Sequence, residues 1–227
     1  MKKYTTLYFD ADDTLLDYRF AENQALVSTF KEYNICVTAN LLEQYSIVNK
    51  QLWLELEKGN INQQFLREER FRLLFEQLDI ACDEKKISDS YLEWLSKENF
   101  LIDDAEKICA SLSRKYTLAI ITNGIKKVQI SRIRNSAISH YIDYLIISEE
   151  AGASKPAKEI FEYAEAKVGE KDRTAILMIG DSLTSDIQGG INFGIDTCWF
   201  NPLQKKNDTN LHPNYEINKL VDLNEII

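Results

Sequence analysis

The chain has 227 residues, of which 44% are hydrophobic, so it can bury a sizeable core in one large domain or in one domain carrying an insertion. Lysine and arginine number 27 against 36 aspartates and glutamates, and the formal net charge of -9 argues against a nucleic acid polymer as partner. The first apolar stretch ends at Asp10, too early for a signal peptide, and no later run could span a bilayer. We therefore expect a soluble cytoplasmic protein without membrane or nucleic acid partners.

The first predicted element is a strand over Thr5–Phe9, a β-branched and aromatic run that stops at polar residues. Asp10 and Asp12 follow it directly. Two carboxylates this close repel each other, so the pair calls for a cation. The alternative interpretation of Asp10–Thr14 is a solvated turn that caps a helix.

The next block, from Ala21 to about Phe100, has apolar residues at helical spacing and no proline. It predicts an all-helical insertion over residues 17–100, with linkers near Asp17–Arg19 and Asn99–Asp103 that allow opening and closing. The remaining residues, 1–16 and 101–227, would form the core domain. The predicted helices are Ala21–Tyr33, Thr38–Lys58, Gln63–Leu78 and Glu84–Lys97.

From Asp103 onward, helical segments alternate with short apolar runs, a pattern typical of a parallel sheet covered by helices. We therefore predict an α/β fold with a Rossmann-like, doubly wound parallel sheet. The polar stretch Lys205–Pro213 is predicted to be a loop. The predicted strands are Leu118–Ile121, Tyr144–Ile147, Ala175–Ile179 and Thr197–Phe200, and two of the helices are Lys158–Val168 and Ser185–Phe193.

Polar residues follow three of these later strands, and each group by itself is typical of a turn or a helix start. A parallel sheet would bring them to one edge together with Asp10 and Asp12. Asp186 follows soon after the last of them. The groups are Thr122-Asn123-Gly124, Ser154-Lys155-Pro156 and Gly180-Asp181-Ser182.

These side chains match the requirements of phosphoryl transfer: a nucleophile, an acid or base, donors for phosphate oxygens, and a cation between anionic reactants. Mg²⁺ prefers hard oxygen ligands, including one or two carboxylates. Asp10 and Asp181 can supply those carboxylates, so the sequence predicts a magnesium site, with Mn²⁺ as an alternative ion.

The order Asp-x-Asp-x-Thr, Thr-Asn, Lys-Pro and Gly-Asp-x-x-x-x-Asp resembles the four motifs of the haloacid dehalogenase superfamily, over nearly the whole chain. The helical block is similar to the α-helical cap domain of that superfamily. The resemblance implies that Asp10 is a nucleophile forming an aspartyl-phosphate. It also implies that Asp12 is the general acid to the leaving alcohol and then the base to water.

The resemblance implies roles for the other motif residues. Thr122 and Lys155 would hold phosphate oxygens, Lys155 would balance the charge of the nucleophile, and Asn123 would line the substrate site. Asp181 would bind Mg²⁺ together with Asp10 and the Asp12 carbonyl. Asp186 would ligate the metal or orient its waters.

Asp13 stands where phosphatases of this superfamily usually have glycine, which tolerates a positive φ at low cost. Aspartate is among the few residues that can follow it there. The variant Asp-Ala-Asp-Asp-Thr-Leu is similar to bacterial pyrimidine 5′-nucleotidases of the superfamily, as are Ile147-Ser148-Glu149-Glu150 and the segment from Gly180 to Gly190. The implied substrate is a nucleoside monophosphate such as UMP, dUMP or dTMP.

Several alternatives stay open. The chain could be a phosphatase for phosphoglycolate or a sugar phosphate. Dehalogenases of the superfamily need neither a metal nor the second aspartate, and Asp12, Asp181 and Asp186 argue against that chemistry. A phospho-acceptor module would be about half this length and lack the helical insertion. A catalytically inactive scaffold is disfavoured because all the expected side chains are present.

Substrate choice would depend on the insertion, whose aromatic residues could include one that stacks on a base. Most of these rings are expected to pack between helices instead. Arg67, Arg70 and Arg72 are expected to be solvated. The aromatic residues considered are Tyr18, Phe20, Trp53, Phe65, Phe71, Phe75, Tyr91 and Trp94.

Overall fold

The computed structural model describes residues 3–227 and divides into two compact units. The core unit comprises the segment ending at Tyr18 together with Asn99–Ile227, and the helical unit is Arg19–Glu98. These limits differ by two residues from the predicted ones. In the described part of the chain, no helix has both the length and the apolar character needed to cross a bilayer.

The core unit contains a six-stranded sheet in which every neighbouring pair of strands is parallel. The strand order is β3-β2-β1-β4-β5-β6, so the chain fills one side of β1 and then the other. This confirms the predicted doubly wound α/β fold. The strands are β1 (Thr6–Phe9), β2 (Thr117–Thr122), β3 (Tyr144–Ile147), β4 (Ile176–Gly180), β5 (Asp196–Phe200) and β6 (Tyr215–Ile217).

In residues 3–227, four α-helices follow β1 along the chain, and the remaining six lie in the core unit. Short 3-10 turns and one π-helical turn supplement them. The α-helices are α1 (Tyr18–Glu32), α2 (Ala39–Glu57), α3 (Gln63–Leu78), α4 (Glu84–Leu95), α5 (Ala105–Leu112), α6 (Lys126–Arg134), α7 (Ser148–Ala151), α8 (Lys158–Val168), α9 (Gln188–Phe193) and α10 (Leu223–Ile226).

The central strands β2, β1, β4 and β5 are buried on both faces almost throughout, which explains their apolar character. In β1, Leu7 and Phe9 pack in one hydrophobic cluster, whereas Tyr8 packs in a second one on the opposite face. The edge strand β6 was not predicted, because three residues are too few to show a periodic pattern.

Three helices of the helical unit begin with side-chain caps. Thr38, Asn62 and Asp83 accept hydrogen bonds from backbone N–H groups in the first turns of α2, α3 and α4. Helix α1 begins at Tyr18, three residues before the predicted start at Ala21. The predicted linker Asp17–Arg19 is therefore partly helical, because no helix-breaking residue interrupts the chain there.

Aromatic side chains fill the core of the helical unit, and one arginine lies among them. Tyr45, Phe71 and Tyr91 are fully buried, with ring centroids 5.5–5.8 Å apart. Arg70 was expected to be solvated, but only 1% of it is exposed. Its guanidinium lies 4.5 Å from the centroid of the Tyr91 ring, so a cation–π contact offsets part of its desolvation.

Two of the aromatic residues considered for base stacking, Phe20 and Phe65, are exposed rather than packed in the core of the helical unit. Phe71, Phe75 and Tyr91 are buried, as expected for rings at helical spacing.

The turn after β1 requires a positive φ at Asp13. Its φ is 58°, and its N–H donates to the Leu16 carbonyl at 2.8 Å. We expect Asp13→Ala to lower the free energy of unfolding by about 1 kcal/mol relative to Asp13→Gly, because a Cβ disfavours this conformation. Urea unfolding of the two variants measures the difference, and equal midpoints would contradict the argument.

Candidate active site

The site lies where three neighbouring strands end. Asp10 directly follows β1, Thr122 is the last residue of β2, and Asp181 directly follows β4. Because β2 and β4 flank β1, these residues come to one edge of the sheet. The Asp10 N–H donates to the Ile179 carbonyl at 2.8 Å, which extends the ladder and fixes the backbone of Asp10.

Lys155 links two of the carboxylates. Its Nζ atom lies 2.5 Å from Asp10 Oδ1, 2.7 Å from Asp186 Oδ1 and 2.7 Å from the Ile121 carbonyl oxygen, so all three ammonium hydrogens have acceptors. Only 1% of this lysine is exposed. Burial by itself would lower the pKa of Lys155, but Asp10 and Asp186 outweigh burial and hold the pKa above its ordinary value.

Asn123 holds the backbone of Lys155 in place. Its side-chain Nδ2 donates to the Lys155 carbonyl at 2.9 Å, and its Oδ1 accepts from the Lys155 N–H at 2.8 Å. This reciprocal pair joins the loop after β2 to the loop before α8. The contact of Asn123 with substrate stays a prediction.

Asp10, Asp181 and Asp186 form an acidic cluster, in which one carboxylate oxygen of each lies within 4.8 Å of the others. Burial, followed by the charges of Asp186 and Asp12, raises the pKa of Asp10 to about 8 against the opposing effect of Lys155. The pKa of Asp181 is likewise raised, first by burial and then by Asp186 and Asp10. Lys155 contacts two of the three carboxylates, those of Asp10 and Asp186. The hard oxygen donor set of the cluster fits a divalent cation such as Mg²⁺.

Asp186 lies in a π-helical turn, Leu183–Ile187, where helix Ser185–Phe193 was predicted. Its Oδ1 accepts from Lys155, and its Oδ2 accepts from the Ser182 N–H at 3.0 Å. Both oxygens are thus committed to protein donors, which suits a residue that orients waters of a metal.

Gly180 permits this placement of Asp186. A Cβ at Gly180 would lie 2.2 Å from Asp186 Oδ2, and that carboxylate is held on both oxygens. We expect Gly180→Ala to lower the free energy of unfolding by about 1–3 kcal/mol through overpacking and to displace Asp186. Thermal melting and Mg²⁺ titration test this, and an unchanged melting temperature with unchanged metal affinity would contradict it.

The Asp12 side chain is held by helix α6. Arg132 Nη1 donates to Asp12 Oδ1 at 2.5 Å, and Gln129 Nε2 donates to Asp12 Oδ2 at 2.8 Å. Neither of these two residues was predicted to belong to the site. Their only signal was polar character at i, i+3 on a helix that follows a candidate site motif.

The fold and this site together define a doubly wound α/β protein with a charged site at the switch point of its sheet. The sequence profile of the haloacid dehalogenase-like hydrolase family matches residues 4–194. The chain belongs to this family of hydrolases.

Relatives that match nearly the whole chain support this family assignment. The HAD-hydrolase YfnB of Bacillus subtilis is 37% identical over 100% of this chain and 97% of its own. Pyrimidine 5′-nucleotidase YjjG of Escherichia coli is 32% identical, covering 99% and 98%, and pyrimidine 5′-nucleotidase PynA of Streptococcus pneumoniae is 36% identical, covering 97% and 93%. The crystal structure of YfnB bound to magnesium matches with a TM-score of 0.94 over 99% of both chains.

Proposed function

We propose that the protein is a magnesium-dependent phosphomonoester hydrolase that works through an aspartyl-phosphate on Asp10. The observation that carries this proposal is the buried Asp10 carboxylate, which is held through one oxygen by Lys155 next to Asp181 and Asp186. A carboxylate fixed in this way presents its second oxygen as a nucleophile.

In the first step, the free oxygen of Asp10 attacks phosphorus. The bond from phosphorus to the ester oxygen breaks, and the leaving alcohol takes a proton from Asp12. In the second step, Asp12 takes a proton from a water molecule that attacks phosphorus. The bond from phosphorus to Asp10 then breaks and releases inorganic phosphate.

Thr122 and Lys155 would hold the phosphate oxygens during both steps, and Asn123 would support the substrate side of the site. The Lys155 ammonium already has three acceptors, so a phosphate oxygen would share or replace one of them. This arrangement lets the same cation stabilise Asp10 before attack and the transferred phosphoryl group afterwards.

Asp10, Asp181 and the Asp12 carbonyl would hold Mg²⁺, or Mn²⁺ as an alternative, with Asp186 orienting its waters. When bound, the ion would offset the negative charge that accumulates as an anionic nucleophile meets an anionic phosphate. The acidic cluster and the magnesium bound by the similar protein YfnB support this assignment.

The proposed substrate is a pyrimidine nucleoside 5′-monophosphate, such as UMP, dUMP or dTMP. Support comes from YjjG and PynA, which are pyrimidine 5′-nucleotidases and resemble this chain over nearly its full length. Residues 17–100 would act as the cap domain that selects the substrate. Phosphoglycolate or a sugar phosphate is the alternative.

The test is phosphate release from UMP, dUMP, dTMP, AMP and phosphoglycolate, with Mg²⁺ and with EDTA. Metal-dependent preference for the three pyrimidine nucleotides is the expected result. Activity confined to phosphoglycolate would keep the mechanism and replace the substrate. Absence of release from every ester would overturn the phosphatase proposal.

A further inference from the structure

We propose that Gln129 and Arg132 are positioning residues that together fix the Asp12 carboxylate and aim the Thr122 hydroxyl at the substrate phosphate. The inference rests on the proposed function, because it assigns work to Asp12 and Thr122 in that reaction. Both positioning residues lie on α6, and only 1% of each is exposed.

Arg132 holds one oxygen of Asp12 from a buried position. Its Nη1 lies 2.5 Å from Asp12 Oδ1, and its guanidinium carbon lies 5.7 Å from the centroid of the Tyr18 ring. The Asp12 side chain is 27% exposed, whereas that of Arg132 is 1% exposed. The carboxylate is therefore anchored on its protein side and remains accessible on the other.

Gln129 binds the second oxygen of Asp12 and has its amide orientation set by its neighbours. Its Oε1 accepts from Arg132 Nη1 at 3.2 Å, which directs its NH₂ group toward Asp12 Oδ2 and Thr122 Oγ1, each at 2.8 Å. The two hydrogens of one amide nitrogen thus join the proposed acid–base group to the proposed phosphate-binding hydroxyl.

The hydroxyl of Thr122 is left in a defined orientation by this arrangement. Its oxygen accepts from Gln129 Nε2 and from the Gly124 N–H at 3.0 Å, so both lone pairs are used. The hydroxyl hydrogen remains for donation to a phosphate oxygen. Gln129 thereby turns a side chain that can donate or accept into a donor.

Gly124 leaves the space that Gln129 occupies. A Cβ at this position would lie 2.4 Å from Gln129 Nε2 and 2.6 Å from its Cγ. The glycine of the Thr-Asn-Gly motif is therefore explained by the close approach of the Gln129 side chain to the backbone, and it belongs to the same arrangement.

The two positioning residues should affect the reaction differently. Arg132 donates directly to Asp12, whereas it bears on Thr122 through Gln129, which is also held by Asp12 Oδ2 and by its close packing against Gly124. Its loss should therefore matter most when the leaving group needs a proton. The nucleoside of UMP needs one, whereas nitrophenolate departs as a stable anion from p-nitrophenyl phosphate. Gln129 also orients Thr122, so its loss should weaken binding of the phosphate group that both substrates carry.

The experiment compares kcat/KM for UMP and for p-nitrophenyl phosphate in wild type, Arg132→Met, Arg132→Lys and Gln129→Met, with Mg²⁺. For Arg132→Met we expect a loss of about 10²-fold with UMP and less than about threefold with p-nitrophenyl phosphate, at little change in KM. Arg132→Lys should recover part of the loss. Gln129→Met should lose similar amounts with both substrates and raise KM.

Arg134→Met is the matched control, because Arg134 lies on the same helix with its side chain exposed, and it should keep both kcat/KM values. Equal losses with both substrates for Arg132→Met, no loss, or a gain with UMP would each overturn the positioning role. If Arg132→Met does not fold, the loss in kcat/KM with UMP is compared with the loss with p-nitrophenyl phosphate in Arg132→Lys instead. Wild-type protein inactive on both esters would instead overturn the proposed function, and this inference with it.

Discussion

Asp10→Asn is expected to abolish phosphate release, with a loss in kcat of at least about 10⁴-fold, the scale on which removal of a catalytic nucleophile acts. The amide has nearly the size and shape of the carboxylate, so the site stays filled. Its oxygen is a poor nucleophile, however, and its NH₂ group cannot accept the hydrogen bond that Lys155 donates to the carboxylate. Release of phosphate from p-nitrophenyl phosphate and from UMP measures the effect.

Asp89→Asn is the matched control, because it makes the same chemical change at an exposed position on α4 and should leave activity unchanged. Acid quenching after mixing with ³²P-labelled substrate should retain label on wild type and on the control, but not on Asp10→Asn. Mass spectrometry should verify that the introduced asparagine has not deamidated. More than a tenth of wild-type activity in verified Asp10→Asn would contradict the role of Asp10 as nucleophile.

Metal-free wild type is expected to lose stability relative to Asp10→Asn as pH rises from 4 to 8. The pKa of Asp10 is raised, mainly by burial, from 3.8 to about 8. In this window the folded protein keeps a proton that the unfolded chain has released, so rising pH favours unfolding. The stability difference between wild type and the variant should therefore grow steadily from pH 4 to pH 8.

The asparagine variant has no such proton, and its melting temperature in EDTA should exceed that of wild type at pH 8, with the difference shrinking toward pH 4. Adding Mg²⁺ at pH 8 should raise the melting temperature of wild type more than that of the variant, because the charged carboxylate is a ligand in the proposed site. Asp89→Asn should follow wild type throughout. A difference between wild type and Asp10→Asn that does not change with pH would contradict the expected titration of Asp10.

Local patterns in the sequence were sufficient for most of the elements. Continuous apolar runs ended by polar or glycine residues marked five of the six strands, and Tyr144–Ile147 has the predicted bounds. The helical block was recognisable because its apolar spacing continues for about 80 residues without proline. The grouping of the strand-end residues could also be predicted. The alternation of helices and strands indicates a parallel sheet, and such a sheet brings Asp10, Thr122 and Asp181 to one edge.

Element limits were less well determined than element types, because local patterns do not fix the residue at which a helix begins. Helix α1 extends back to Tyr18, and the segment containing Asp186 forms a π-helical turn before α9. Arg70 shows the same limit for burial: its sequence context suggests a solvated side chain, but it is buried against the ring of Tyr91 from α4.

By itself, the sequence determined the class of fold, the helical insertion and the candidate residues at the strand ends. These features depend on the periodicity of apolar residues and on the residue types that follow each predicted strand. The tertiary structure alone decided which polar groups hold those candidates. Arg132 reaches Asp12 across 120 positions of sequence, and Asn123 pairs with the backbone of Lys155 across 32. Such pairings depend on which groups folding removes from water together, since a buried donor or acceptor must find its partner wherever the fold brings one.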